Sequence, residues 1–255
     1  MENNKLKVSI ILTTYNSKNN LIKSLKSVLR QSYKLFEVLI IDDNSIDNTK
    51  EALQPLISKK KNIKYFFLKK NRGVAFARNF GIKKSNYRYI FFLDAGDLWH
   101  KSKIDSQLKF MLKLKPAALC SAYSVYNHNM KYLYDVSYNS HKYLDFRQVI
   151  KNCKIGFSTS VVDKHQIKGF FFKKLGHEDL DFWLRLLENK KKIYFCNIKV
   201  LKYIKYPKSL SSNKLKAAIW QFRIVFSKKN ISFLEKNYYF LYYTLQGIRK
   251  IFFLK

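Results

Sequence analysis

The chain has 255 residues, with 50 lysines and arginines against 17 aspartates and glutamates, a formal charge of +33. With 47% hydrophobic residues, only 7 glycines and 3 prolines, it is neither disordered nor collagen-like, and its length suits one large α/β domain or two closely packed halves. So large a basic excess points to a polyanionic neighbour (nucleic acid, anionic lipid or an anionic substrate) or to a base-composition bias that loads every solvated face with lysine.

Residues 8–12 form a continuous, β-branched apolar run and predict a buried strand. Leu21, Leu25, Val28 and Leu29 then recur at helical spacing. A second strand is predicted over 36–41, a weaker helix interrupted by Pro55 over 47–59, and a third strand over 63–68. A helix over 73–83 and a fourth strand over 87–93 follow. Unbroken apolar strands that alternate with helices imply a mainly parallel sheet flanked by helices on both faces. Ligands bind such sheets beyond the carboxyl ends of the strands. The polar clusters fall there, at 13–16, 42–45 and 94–97. After Trp99 the sequence predicts a helix over 101–114, strands near 117–126 and 157–162, a helix over 178–188 and a strand near 193–206. Residues 213–255 read as basic, aromatic helices.

The first 16 residues carry no signal-peptide pattern, and no stretch approaches the roughly 18–20 apolar residues that span a bilayer. The three cysteines lack CxxC spacing and read as packing residues of a cytosolic protein. Five scattered histidines give no zinc pattern, and Gly73 to Ala77 is no Walker loop.

Three carboxylate clusters can carry chemistry. Asp43, at a strand end, can accept hydrogen bonds from a nucleobase edge or a ribose. Asp94 and Asp97 bracket Ala95 and Gly96 in a turn. Two hard oxygen ligands there can meet magnesium or manganese, which fill their other positions with water and substrate phosphates; the same turn also reads as a helix cap. Glu178, Asp179 and Asp181 sit in the first turn of a helix, where the dipole favours their charged forms. They are ordinary helix-start acids, or one of them takes a proton from an acceptor hydroxyl. The apolar stripe Leu180, Trp183, Leu184 and Leu187 places Asp179 at its border and Glu178 nearly opposite it.

The order of the segments VSIILTTYN (8–16), LKSVLRQSY (25–33), EVLIIDDNSIDNT (37–49), NRGVAFARNFGI (71–82), YIFFLDAGDLW (89–99) and GHEDLDFWLRL (176–186) resembles the family 2 glycosyltransferases. The resemblance implies the GT-A fold, a Rossmann-like sheet with helices on both faces. It implies a nucleotide-sugar-binding half over 1–100, an acceptor-binding half over 101–210, and a basic aromatic tail over 211–255. Thr13, Tyr15 and Asn16 match the segment that holds the base, with Tyr15 packed on it, and Asp43 matches the second acid of Asp-Asp-x-Ser. Arg78 and Asn79 match the element beside the nucleotide. Asp94 and Asp97 match the outer acids of Asp-x-Asp-Asp, Asp97 being the metal ligand, and Asp179 matches the catalytic base. Two positions depart from the pattern. Gly96 stands where many members carry an aspartate, and residues 204–209 replace an Arg-x-His-Pro-x-Ser segment, so no arginine or histidine role carries over and Lys202 or Lys205 is the candidate for the positive charge.

The resulting expectation is an inverting glycosyltransferase that moves a monosaccharide from a nucleotide-diphosphate sugar, by default a UDP-sugar, to a saccharide or lipid-linked acceptor, with manganese or magnesium on Asp97. Nucleic acid is not an expected partner. A non-catalytic transferase-like protein, a nucleotidyltransferase and a basic nucleic-acid binder are the alternatives. Residues 213–255 hold nine basic residues, one acid and eleven aromatics. They either pack on the domain or form a peripheral contact with anionic lipid on the inner face of the cell membrane.

Overall fold

A computed structural model describes residues 6–138, 140–207 and 214–252. The first half runs β1 (Val8–Thr14), α1 (Lys18–Leu29), β2 (Phe36–Asp42), α2 (Thr49–Ile57), β3 (Ile63–Phe67), α3 (Val74–Lys84) and β4 (Tyr89–Asp94). The second runs β5 (Leu98–Trp99), α4 (Lys103–Leu114), β6 (Ala118–Asn127), β7 (Tyr132–Val136), β8 (Lys142–Leu144) and α5 (Phe146–Lys151). It continues through β9 (Val161–Asp163), α6 (Glu178–Glu188) and β10 (Ile193–Lys205) to the tail helices α7 (Lys214–Ser227) and α8 (Phe233–Phe252). The ten strands of the described residues join one sheet in the order β3-β2-β1-β4-β9-β6-β10-β5, with β7 beside β6 and β8 beside β10.

The alternation of side chains along the strands divides the interior into two cores. Val8, Ile10 and Leu12 of β1, Val38 and Ile40 of β2, and Phe91 and Leu93 of β4 meet α1 and α4 on one face. Ile11, Leu39, Ile41, Ile90 and Phe92 meet α3 and α6 on the other. Both faces are therefore covered, which is why these strands read as unbroken apolar runs. Helix α3 comes so close to β1 that a Cβ at Gly81 would lie 2.6 Å from Ile11 Cγ2. Strands β3, β2, β1 and β4 are parallel.

Beyond β4 the sheet is mixed, where the sequence predicts a mainly parallel one. Strand β9 runs antiparallel to both β4 and β6, whereas β6 and β10 are parallel. The strand predicted near 157–162 is half a 3-10 turn, Phe157–Thr159, followed by β9. Strands β5, β7 and β8 and helix α5 are additions to the predicted elements.

The junction of the halves is pinned at Asp163, buried at the end of β9. Its carboxylate accepts from Arg88 Nη2 at 2.7 Å and Gln166 Nε2 at 3.0 Å. Although burial opposes them, these bonds hold its pKa below the usual carboxylate value. A depressed folded pKa stabilises above the unfolded value and is lost as pH falls through the folded one. Asp163→Asn is therefore expected to cost about 2 kcal/mol at pH 7, the scale of a hydrogen bond to a charged group. The deficit shrinks towards pH 3 in urea titrations.

The tail packs inward and is also exposed outward. Lys228 reaches Asp181 at 3.4 Å and Glu188 at 3.3 Å, and Arg147 pairs with Glu235 at 3.0 Å. The Trp220 ring covers Gly176, where a Cβ would lie 2.2 Å from it. On the outer side Leu215, Ile219 and Phe222 of α7 and Leu234, Tyr238, Leu241 and Leu245 of α8 are exposed at helical spacing. Among the described residues no helix is long and apolar enough to cross a membrane. Residues 208–213 and 253–255, at the start and end of the predicted tail and in the 204–209 segment, lie outside the described residues.

Candidate functional site

The site is built at the carboxyl ends of β1, β2 and β4, on either side of β1, where the strand order reverses. Each strand ends in a turn that the others hold. Asn16 takes a left-handed conformation (φ 45°), its N–H donates to Ser45 Oγ at 2.8 Å, and its side-chain oxygen accepts from the Ile46 amide at 2.9 Å. Its amide oxygen thus ties two strand-end loops together, while the neighbouring Tyr15 stands 49% exposed. Asp42 accepts from Ser45 N at 2.7 Å and Tyr65 Oη at 2.6 Å. Asp43, buried, accepts from the Arg72 and Gly73 amides at 2.9 and 2.7 Å. It thereby fixes the loop that starts α3.

Across β1, Thr13 Oγ1 donates to Asp94 Oδ1 at 2.7 Å. Arg78, buried on α3, donates to Asp94 Oδ2 at 2.8 Å and to Glu178 Oε1 at 2.7 Å. Its guanidinium carbon lies 3.5 Å from the Phe157 ring centroid. One side chain thus joins the end of β4 to the first turn of α6, which brings Asp179 to the same edge. Glu178, which helical spacing places opposite the apolar stripe, is nevertheless only 12% exposed, because that side of the first turn of α6 is bridged to Arg78 of α3. Burial pushes Glu178 up to about 7, helped by the Asp179 carboxylate and opposed by Arg78. Asp179 Oδ1 accepts from the Leu180 amide at 2.9 Å. Asp181 is engaged with Arg185 and Lys228. Asn79 exchanges two bonds with the Phe172 backbone, at 2.8 and 2.9 Å, and so clamps the segment before α6 onto α3.

The turn after β4 rests on residues that the sequence reading did not single out. Ser24 Oγ accepts from the Gly96 amide at 2.9 Å and donates to the Asp97 carbonyl at 2.8 Å. Ser158 Oγ accepts from the Asp94 amide at 3.1 Å and bonds the Asp97 carboxylate. Trp99 Nε1 donates to the Ser158 carbonyl at 2.9 Å. The buried Lys103 ammonium reaches the adjoining Thr159 carbonyl at 2.9 Å, and burial drives its pKa well down. Nothing in the local sequence marks a serine 64 residues from Asp94 as its support.

The two departures from the family pattern meet in space. Gly96 has φ +112°, a conformation that disfavours any side chain, and the Tyr206 ring lies 3.0 Å from where its Cβ would be. Tyr206 Oη donates to Asn20 Oδ1 at 3.0 Å. Lys202 and Lys205 lie against Tyr126 and Tyr134.

For a divalent cation, the test is the chemistry of the donors. Among the described residues no three His, Cys, Asp or Glu side chains cluster as a metal site. Asp97 is nevertheless a buried hard-oxygen donor, pushed up to about 7 by burial and the Asp94 carboxylate against its bond from Ser158. A cation would relieve that penalty; both Asp94 oxygens are engaged, by Thr13 and Arg78, so Asp97 would be the side-chain ligand, with water and phosphate in the remaining positions. Among the described residues Thr14 Oγ1, Arg78 Nε, His177 Nε2 and Trp183 Nε1 are buried without a hydrogen-bond partner. Such orphans cost about 1–3 kcal/mol each.

The family described as Glycosyl transferase family 2 matches residues 9–162. The putative teichuronic acid biosynthesis glycosyltransferase TuaG of Bacillus subtilis is 31% identical over 251 residues, covering 98% of this chain and 99% of its own. The Escherichia coli UDP-Glc:alpha-D-GlcNAc-diphosphoundecaprenol beta-1,3-glucosyltransferase WfgD is 32% identical over 247 residues, covering 95% and 94%. Among solved structures, Staphylococcus aureus TarS 1-349 in complex with UDP-GlcNAc superposes with a TM-score of 0.72 at 18% identity, covering 97% of this chain and 73% of that one. The Pyrobaculum calidifontis mannosyltransferase PcManGT, in complex with GDP-Man and Mn2+, superposes with a TM-score of 0.67 at 14% identity, covering 93% and 69%.

Proposed function

The chain belongs to glycosyl transferase family 2, and we propose that it transfers a monosaccharide, with inversion, from a UDP-sugar to a saccharide or lipid-linked acceptor of a bacterial surface polysaccharide. The observation that carries this reading is the Arg78 bridge, which draws Asp94 and the Glu178–Asp179 turn to one edge of the sheet. Tyr15, half exposed, packs on the base, and Thr13 and Asp43 line its seat. Asn16 and Asn79 act on the nucleotide through the loops they hold. Asp179, with one oxygen on its own helix amide, takes the proton of the attacking acceptor hydroxyl with the other. Asp97, backed by Asp94, would hold the cation. When bound there, a divalent ion stabilises the departing diphosphate as a Lewis acid.

The names of TuaG and WfgD support a surface-glycan product, and that of WfgD a diphosphate-linked lipid acceptor. The exposed apolar stripes of α7 and α8, set among lysines and arginines, support a peripheral contact with anionic lipid on the inner face of the cell membrane. The test is a thermal-shift panel of nucleoside diphosphates and their sugars, with and without manganese. A ligand at a hundred times its Kd adds about 2.7 kcal/mol, a shift of roughly 5–10 °C at this chain length. The expected result is that UDP and one UDP-sugar give the largest shift, that manganese increases it, and that turnover releases UDP. Release of pyrophosphate, or no shift with any nucleotide, would overturn the reading.

A further inference from the structure

A second cleft lies away from the strand ends, between residues 138–154 and α8. It has a volume of about 300 Å³ and is lined by Tyr138, Lys142, Gln148, Lys151, Asn152 and Lys154. It adjoins a space of about 470 Å³ that shares Lys142, Gln148 and Lys151 and is bordered by Tyr238 and Tyr239 of α8. Among the described residues no carboxylate lines the first space. The acid that lines the second, Asp145, is already engaged, capping α5 by accepting from Gln148 N at 2.8 Å, and the lining Arg147 pairs with Glu235 at 3.0 Å.

The three ammonium groups are held in place by aromatic rings and a carbonyl. Lys142 and Lys154 stand 4.9 and 5.2 Å from the centroid of the same ring, Tyr138, and Lys154 Nζ also donates to the Ser137 carbonyl at 2.8 Å. Lys151 lies 4.9 and 4.7 Å from the Tyr238 and Tyr242 rings. Two like charges gathered on one ring repel each other, and a third closes the same small cleft. Each ammonium carries three donors, and an anion among them would convert repulsion into charge-assisted hydrogen bonds. The side-chain amides of Gln148 and Asn152, one turn apart on the α5 segment, add neutral donors.

The cleft is joined to the candidate active site through its own wall. Cys153, between the lining residues Asn152 and Lys154, has its thiol pushed up to about 12 by burial and by the nearby Asp179 carboxylate. Helix α5 buries Val149 and Ile150 in the same core as Leu180 of α6. We propose that this lysine cleft binds the diphosphate group of the acceptor, so that the sugar it carries is presented towards Asp179. The inference rests on the reading of the chain as a transferase with a lipid-linked acceptor, and names the part of that acceptor the protein grips.

The test uses the full chain and the double variant Lys142→Gln/Lys154→Gln, with Lys142→Arg/Lys154→Arg as the charge-keeping control. Two acceptors are compared, an N-acetylglucosaminyl diphosphate on a short alkyl chain and the neutral alkyl glycoside, and inorganic pyrophosphate is titrated by calorimetry without donor. The glutamine variant is expected to lower the ratio of kcat/KM for the diphosphate acceptor over the neutral one at least tenfold, through KM. It should also weaken pyrophosphate binding at least tenfold, and the arginine variant should restore both. An unchanged ratio, or an equal fall for both acceptors, overturns the proposal. So does a variant that loses binding to phosphatidylglycerol vesicles with the ratio intact, since the anion would then be a lipid headgroup. Pyrophosphate binding is read without turnover. A wild-type chain that binds it through these lysines yet transfers no sugar would therefore refute the transferase reading separately.

Discussion

Asp179→Asn is expected to lower sugar transfer by roughly 10²- to 10⁴-fold, the range that general-base catalysis supplies, with nucleoside diphosphate affinity little changed. The substitution is conservative for the fold. Asp179 Oδ1 accepts from the Leu180 amide at 2.9 Å, a bond that an asparagine oxygen can keep. Removing the charge also takes away one of the groups that raise Glu178, so the first turn of α6 should lose no stability. Single-turnover rates and UDP calorimetry on the same sample separate the two effects. Turnover within a few-fold of wild type would remove Asp179 from the chemistry, and a parallel loss of UDP binding would mark it as a structural residue.

Arg78→Ala is expected to cause the largest loss of stability of any single change at the site, about 3–5 kcal/mol, because it leaves a buried carboxylate without its partner. Glu178 is 12% exposed and Asp94 35% exposed, so most of the penalty falls on Glu178. At this chain length the loss corresponds to roughly 6–20 °C in Tm. Lysine should rescue little, since a single ammonium cannot span two carboxylates as the guanidinium fork does. Glu178→Gln in the Arg78→Ala background should recover part of the deficit, the coupling expected of groups in direct contact. A loss below 1 kcal/mol, or strictly additive effects in that cycle by urea unfolding, would show that the bridge does not hold the two elements together.

The parts of this fold that were legible in advance are those whose burial comes from the sheet itself. The elements from β1 to β4 fall within a few residues of their predicted bounds, because two-sided burial forces continuous Val, Ile, Leu and Phe and leaves polar residues only where a strand ends. The 120–175 region was not legible for the opposite reason. Strands β7 and β8 are short edge pieces, stabilised by β6 and β10 rather than by their own apolar pattern. Residues 157–159 look like a strand, yet coil so that Ser158 can support the turn at Asp94 and Asp97.

From its own order of residues, then, the chain determined that it would build a two-faced α/β sheet with acids at three places along one edge. Local chemistry suffices for that, since strand, turn and helix-start signals act over a few residues. Tertiary structure alone decided which groups those acids would face. Arg78 and Glu178 are 100 residues apart, Ser158 is 64 from Asp94, and Gly96 meets Tyr206 only after β10 has paired between β6 and β5. Burial and long-range pairing raised the pKa of Glu178 and of Asp97. No local pattern encodes either outcome, because desolvation is a property of the packed whole.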